Sequence, residues 1–204
     1  MRQVGIEPVT KTKFRIYLDG QCAFVLYKSE LSSCHLKDGE AVTEDQIETI
    51  LSEIVLKRAK RKAMSLLQSM DRTESELRDR LLRQDFPEET VDQAVRYVKS
   101  FGYVDDRRYA ESFILSRKGR KSRREIYAEL SGKKIDGEIV DEMMERCYEE
   151  SDSGEALRHL LRKKHYDPSR ASVEEKQKLY AYLARKGFSY GEIKKALNLE
   201  FPED

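Results

Sequence analysis

SRREIYAELSGKKIDGEIVDEMM, residues 122–144, decides how this chain folds, because its pattern occurs three times. TESELRDRLLRQDFPEETVDQAV (residues 73–95) precedes it and EKQKLYAYLARKGFSYGEIKKAL (residues 175–197) comes after it. Ile126, Leu130, Ile135 and Val140 match Leu77, Leu81, Phe86 and Val91, each 49 residues earlier, and Leu179, Leu183, Phe188 and Ile193, each 53 residues later. Apolar positions that keep their register while their neighbours vary mark side chains that each copy must bury. The start signals repeat too. Thr73-x-x-Glu76, Ser122-x-x-Glu125 and Ser172-x-x-Glu175 have the form of a capping box. In that motif the hydroxyl accepts from an orphan backbone N–H and the Glu reaches back to the cap residue. The third box begins three residues early, so its helix is expected to be about one turn longer. Asp136 and Ser189 stand where the last helix of their units begins, and Pro87 fills that place in the first.

These signals define three units of about 50 residues, each of three helices, stacked so that every unit buries its apolar face on its own helices and its neighbours. Upstream, FRIYLDGQCAFVLY (residues 14–27) reads as a β-hairpin, with Asp19-Gly20 as the tight turn. A two-stranded ribbon is marginal in water, so it must pack on the helix that comes next. From Thr43, which forms a candidate capping box with Gln46, Ile47, Ile50, Leu51, Ile54, Ala59, Ala63, Leu66 and Leu67 recur at helical spacing, predicting one long helix over residues 44–69. The expected fold is mainly all-α: tandem three-helix repeats in an elongated curved array, with a small N-terminal β-hairpin. The expected divisions are the hairpin region at 1–42, the long helix and first repeat at 43–104, the second repeat at 105–150 and the third at 151–204.

Composition narrows the function classes. Charged residues make up 38% of the 204 residues, hydrophobic ones 39%, and the net charge of +1 names no partner by itself. Three cysteines, Cys22, Cys34 and Cys147, fit neither a disulfide framework nor a zinc spacing, and no metal or cofactor is expected. No apolar run reaches membrane-spanning length and the N-terminus lacks a signal-peptide core, so we expect a cytoplasmic protein without a membrane partner.

Charge is concentrated in two places. Lys57, Arg58, Lys60, Arg61 and Lys62 lie within the long helix, where a solvated face explains them as well as a binding role does. Arg117, Lys118, Arg120, Lys121, Arg123 and Arg124 span the end of one helix and the start of the next. Cations suit a helix C-terminus, but Arg123 and Arg124 follow the cap residue Ser122, where positive charge is unfavourable. Residues placed against local preference point to function. Just before this run, Asp105 and Asp106 raise the question of a catalytic carboxylate pair. We read Asp105 as an N-cap, Asp106 as a first-turn acid, Gly102 as the left-handed end of the preceding helix, and Val104 and Tyr109 as a hydrophobic staple. No catalytic residue is expected, since no second group or cleft accompanies the pair.

GYVDDRRYAESFILSR (residues 102–117) resembles the signature of the bacterial RecX regulators, through Gly102, Tyr103, Asp105, Asp106, Arg108, Tyr109, Ala110 and Arg117. YLARKGFSYGEIKKAL (residues 182–197) is similar to that family's C-terminal repeat, and Arg72-Thr73-x-x-Glu76-Leu77 to the start of its first. SGKKID in the middle repeat departs from the family's usual KGI variant, and the N-terminal hairpin resembles the longer form of some Gram-positive members. The resemblance implies a tandem three-helix-repeat fold and a monomer that binds the RecA filament on DNA. It implies modulation, usually inhibition, of the filament's recombinase, ATPase and co-protease activities, and a place in DNA repair, homologous recombination and the SOS response. A competing reading is a helical-repeat protein that binds single- or double-stranded DNA directly, without RecA.

Overall fold

A computed structural model describes residues 1–197. The last seven residues of the expected third repeat lie outside the described residues. The chain forms two compact units, Met1–Asp105 and a second beginning at Asp106.

The first unit opens with β1 (Arg2–Pro8), β2 (Lys13–Leu18) and β3 (Gln21–Tyr27), then α1 (Lys28–Cys34) and the short β4 (Ala41–Val42). The hairpin of β2 and β3 forms as expected. Asp19 and Gly20 both take positive φ, 52° and 79°, which matches the twist that a two-residue hairpin loop requires. The ribbon is larger than the hairpin alone. β1 and β4 complete an antiparallel sheet of order β3-β2-β1-β4, with Val4 opposite Leu18, Ile6 opposite Ile16, and Arg2 opposite Val42. β1 escaped the sequence reading because RQVGIEP contains Gly5 and Pro8 and buries only Val4 fully. β4 is two residues long, too short to show a period.

The long helix arrives in three pieces: α2 (Glu44–Ile50), a π-helical turn (Leu51–Val55) and α3 (Leu56–Ser69). Thr43 and Gln46 close the expected capping box, the Thr43 hydroxyl accepting from Gln46 N–H while the Gln46 amide oxygen accepts from Thr43 N–H at 2.9 Å. The π-turn corrects the apolar stripe. An unbroken α-period puts Ile54 on the core line, but the extra residue of a π-turn rotates the helix by one position. Val55 is consequently fully buried and Ile54 only half, and Ala59 and Ala63 continue the line with no exposed surface. Those alanines let α3 lie close against α5 (Glu88–Ser100), which it reaches after α4 (Glu74–Leu82). Phe24 and Leu26 of the sheet share one core with Val55, Ala59, Leu77, Leu81, Val91 and Val95. The sheet therefore packs on the long helix, and the Lys13 ammonium adds an ion pair to Asp85 at 2.6 Å.

The second unit contains α6 (Asp106–Leu115), α7 (Arg123–Gly132), α8 (Gly137–Cys147), α9 (Glu150–Lys163), α10 (Val173–Arg185) and α11 (Tyr190–Leu197). It holds two cores, one from α6–α8 with Tyr148, the other from α9–α11. The four register positions do what their repetition predicts. Leu77, Leu81, Val91, Ile126, Leu130, Val140, Leu183 and Ile193 have no exposed surface, and Phe86, Ile135 and Phe188 are buried. Leu179 alone is half-buried. α10 has 13 residues against 10 for α7, the expected extra turn.

One feature of the repeat is visible only in backbone angles. The residue before Phe86, Ile135 and Phe188 is left-handed in each copy: Asp85 at φ 61°, Lys134 at 57° and Gly187 at 87°. This reversal ends the middle helix and aims the next apolar side chain back into the core. Only the third copy uses glycine, and there the space is also needed. A Cβ on Gly187 would lie 2.9 Å from both the Arg124 Cβ and the Ser122 Oγ. Gly187→Ala should therefore destabilise the chain by about 2 kcal/mol, the left-handed cost of ~1–2 kcal/mol plus the overlap. Gly191→Ala, in an open position inside α11, should be neutral or stabilising. Urea denaturation of the two variants checks the contrast.

Candidate functional site

The basic run occupies the corner between α6 and α7. Tight backbone bonds shape it: Arg117 and Lys118 N–H both donate to Ile114 O at 2.9 Å, and Lys121 N–H donates to Arg117 O at 3.0 Å. Ser122 caps α7, its hydroxyl accepting from Glu125 N–H at 3.0 Å. The six cations that the sequence groups together separate into two sets. Arg117, Lys118 and Lys121 are paired with carboxylates. The Arg117 guanidinium lies 3.6 Å from the Phe113 ring centroid and 3.4 Å from a Glu129 oxygen. Lys118 pairs with the buried Asp152 at 3.3 Å, and Lys121 pairs with Glu129 and, at 3.6 Å, with Glu125. Arg120, Arg123 and Arg124 are exposed and pair with no carboxylate among the described residues. Arg123 and Arg124 lie in the first turn of α7, at its positive end, and Arg120 lies in the turn before it.

The corner is held by α9–α11, which the sequence did not indicate. The Ser122 hydroxyl that caps α7 also donates to the Lys186 carbonyl at 2.5 Å. The Glu125 carboxylate does not close the capping box. It binds the Lys186 ammonium at 3.0 Å, and this hydrogen bond, with the charge behind it, raises the Lys186 pKa above its ordinary value. Tyr148 O–H donates to the Lys121 carbonyl at 3.2 Å, and burial pushes its phenol up. Between the two three-helix sets lies a groove of ≈ 720 Å³ with Arg123 and Arg124 on one wall and Phe188 and Glu192 on the other. Burial pushes the Glu192 carboxyl up, but hydrogen bonds from the Ser153 and Ser189 hydroxyls and the Ser189 N–H outweigh it, leaving the pKa lowered. Lys186 sits far from the corner in sequence, at the end of an amphipathic helix, and no local pattern distinguishes it there.

The second basic stretch divides in the same way. Arg58 faces inward, where it pairs with Glu30, donates to the Val25 carbonyl at 2.6 Å, and lies 5.0 Å from the Tyr27 ring centroid and 5.3 Å from that of Phe86. Lys57 bonds Glu53 at 2.6 Å on the exposed face. Lys60 lies over the Tyr97 ring, and Arg61 is exposed.

Of the signature residues, Gly102 is left-handed as expected, with φ 70°. α6 begins at Asp106, so Asp105 stands just before the helix and Asp106 in its first turn. Ala110 is fully buried, Tyr109 stacks on Phe113 at 6.0 Å, and Arg108 and Tyr103 are exposed. Val104 packs in the core of the first unit while Tyr109 packs on that of the second, so each of the two staple residues has a core of its own. Burial raises the Cys34 and Cys147 thiols, which disfavours thiolate chemistry. No helix among the described residues is long and apolar enough to cross a membrane.

Tandem three-helix domains define a helical-repeat protein. Family models described as the first, second and third three-helix domains of RecX match residues 59–97, 105–144 and 150–197. The chain is 33% identical over 189 residues to the regulatory protein RecX of Caldanaerobacter subterraneus subsp. tengcongensis, covering 92% of this chain and 93% of that one. It is 29% identical over 199 residues to the regulatory protein RecX of Clostridium acetobutylicum, covering 95% and 92%. A crystal structure of regulatory protein RecX superposes with a TM-score of 0.61 at 25% identity over 97% of this chain and 99% of that one. The RecX structure from Lactobacillus salivarius shares the fold, with a TM-score of 0.57 at 21% identity over 71% and 95%. The chain belongs to the RecX family of regulatory proteins.

The contrast between inward and outward cations is measurable. Arg58→Ala should cost about 3 kcal/mol, because it strands Glu30 and the Val25 carbonyl in a largely buried site. Arg61→Ala should stay within about 0.5 kcal/mol of the parent, as exposed unpaired positions do. Equal denaturation midpoints for the two variants would contradict this placement.

Proposed function

We propose that this chain binds the RecA–DNA filament and modulates its recombinase, ATPase and co-protease activities, with inhibition as the direction. It acts by binding and performs no chemistry, as a monomer in the cytoplasm, in homologous recombination, DNA repair and the SOS response. Membership of the RecX family supports the partner. The working pieces are the long helix with the first repeat (43–104) and the second and third repeats (105–150 and 151–204). The observation that carries the surface is the trio Arg120, Arg123 and Arg124, exposed and unneutralised at the start of α7.

Two of these arginines oppose the helix macrodipole, so their placement costs the fold something. A surface maintained against local preference is what a binding role requires. Guanidinium forks take carboxylates on a protein or phosphates on DNA, and a filament that carries both offers repeated contacts. Arg117, Lys118 and Lys121 hold the corner in shape through Glu129 and Asp152. Their role is to position the trio.

The test uses strand exchange and ATP hydrolysis by RecA on single-stranded DNA, titrated with this chain at two salt concentrations. Changing Arg120, Arg123 and Arg124 together to Glu should weaken the effect by about tenfold or more, since three cations become three anions. The same substitutions should leave the fold intact or slightly stabilised, by ~0.3–1 kcal/mol for each acid gained in the first turn. Unchanged inhibition by a folded triple variant removes the corner from the account.

A further inference from the structure

The carboxylates around the α6–α7 corner are engaged elsewhere. α7 carries two, Glu125 and Glu129. Glu129 is taken by Arg117 at 3.4 Å and by Lys121. Asp152 of α9 is taken by Lys118 at 3.3 Å. Glu125 is then the carboxylate of α7 that remains for Arg120, Arg123 or Arg124, and Arg124 precedes it directly in sequence. Lys186, at the end of α10, takes it instead. Its ammonium lies 3.0 Å from the same Glu125 oxygen that faces Lys121 at 3.6 Å.

Two other caps in this unit show where such a carboxylate goes when nothing draws it away. Glu175 accepts from Ser172 N–H at 2.9 Å and Glu192 from Ser189 N–H at 2.7 Å, each turned back onto the start of its own helix. Ser122 and Glu125 have the same spacing, and the hydroxyl bond of the motif is present in both places, 3.0 Å at Ser122 and 3.2 Å at Ser172. What differs at Ser122 is the end of α10 packed upon it. The Ser122 hydroxyl donates to the Lys186 carbonyl at 2.5 Å, the Lys186 ammonium donates to Glu125, and Gly187 lies close against Arg124. Released from Lys186, Glu125 has the position that Glu175 and Glu192 occupy. The helix macrodipole favours an anion there. That anion would stand within the run of Arg120, Arg123 and Arg124 and offset part of their charge.

We propose that Lys186 is a positioning residue: by holding Glu125 it keeps a carboxylate off Arg120, Arg123 and Arg124, so that the third three-helix domain, docked on the second, sets the charge of the corner. Its effect on RecA rests on the reading of those arginines as the binding surface, while the allocation of Glu125 is independent of that reading.

Two readouts keep these apart. The first is the rate at which phenylglyoxal modifies Arg123 and Arg124 in the full chain without RecA, followed by mass spectrometry of the peptides. Lys186→Met should slow it by about two- to fivefold, as expected when an exposed ion pair forms on the arginines. Lys186→Arg, which keeps the pair with Glu125, should match the parent, and so should Lys178→Met, which removes a charge from an exposed position of α10. Glu125→Gln alone should change little, and Lys186→Met combined with Glu125→Gln should return to the parent rate, since no carboxylate is left to release. The second readout is inhibition of strand exchange by RecA, which should follow the same order and weaken by about twofold or more in Lys186→Met. Circular dichroism checks that each variant folds, and Lys186→Gln repeats the test with a polar side chain. A parent-like modification rate in both Lys186→Met and Lys186→Gln overturns the proposal. A slowed rate that Glu125→Gln does not restore also overturns it and leaves Lys186 a purely structural part. Slowed and restored modification with unchanged inhibition of strand exchange supports the allocation of Glu125 and removes the arginines from RecA binding.

Discussion

Each three-helix domain depends on a pair of aliphatic side chains one turn apart on its middle helix: Leu77 and Leu81, Ile126 and Leu130, Leu179 and Leu183. Five of the six have no exposed surface. A domain this small has room for few fully buried residues, and burying each contributes about 2 kcal/mol, so losing one removes much of its margin. The left-handed residue that ends the same helix makes the pair useful, because it returns the next apolar side chain, Phe86, Ile135 or Phe188, to the same core. A straight exit would carry that side chain into water. Pair and reversal together make the repeat, and the outer faces of the helices are left free to carry charge.

That freedom is used unevenly. With 39 Lys and Arg residues against 38 Asp and Glu, the chain can neutralise nearly all of its cations internally, and many are neutralised. Arg58 goes further and becomes part of the core boundary between sheet and helix, held by Glu30 and two rings. Against this background an unpaired cation carries information. Arg120, Arg123 and Arg124 differ in this from Arg117, Lys118 and Lys121 of the same run, which have carboxylate partners. The same rule explains why a basic run in sequence is a poor map of a binding surface. Arg117 and Lys118 belong to such a run, yet their charges are taken up by Glu129 and Asp152.

The link between Ser122, Glu125 and Lys186 adds a constraint of its own. One hydroxyl both caps α7 and bonds the backbone at the end of α10. The orientation of the arginines just after Ser122 is thereby tied to the neighbouring domain, and the close fit of Gly187 on Arg124 removes the remaining slack. The pieces of the corner come from three helices, α6, α7 and α10, and no single repeat contains it.

Much of the architecture was legible in the sequence because it is periodic. Apolar spacing, cap residues and the Asp19-Gly20 turn are local rules, and they gave the three-helix repeats, the helix starts, the longer α10 and the hairpin. The hidden parts needed partners distant along the chain. β1 and β4 acquire strand character only from pairing, the π-turn that buries Val55 more deeply than Ile54 leaves no mark in the apolar period, and Arg58 looks like any solvated cation until Glu30 and Phe86 reach it. Within the three-helix repeats the sequence by itself determined which positions pack in the cores, since burial there obeys the period. Tertiary structure alone decided which charges and rings remain unpartnered, because a side chain's partner is a matter of distance in space, and the local pattern around it carries no record of that distance.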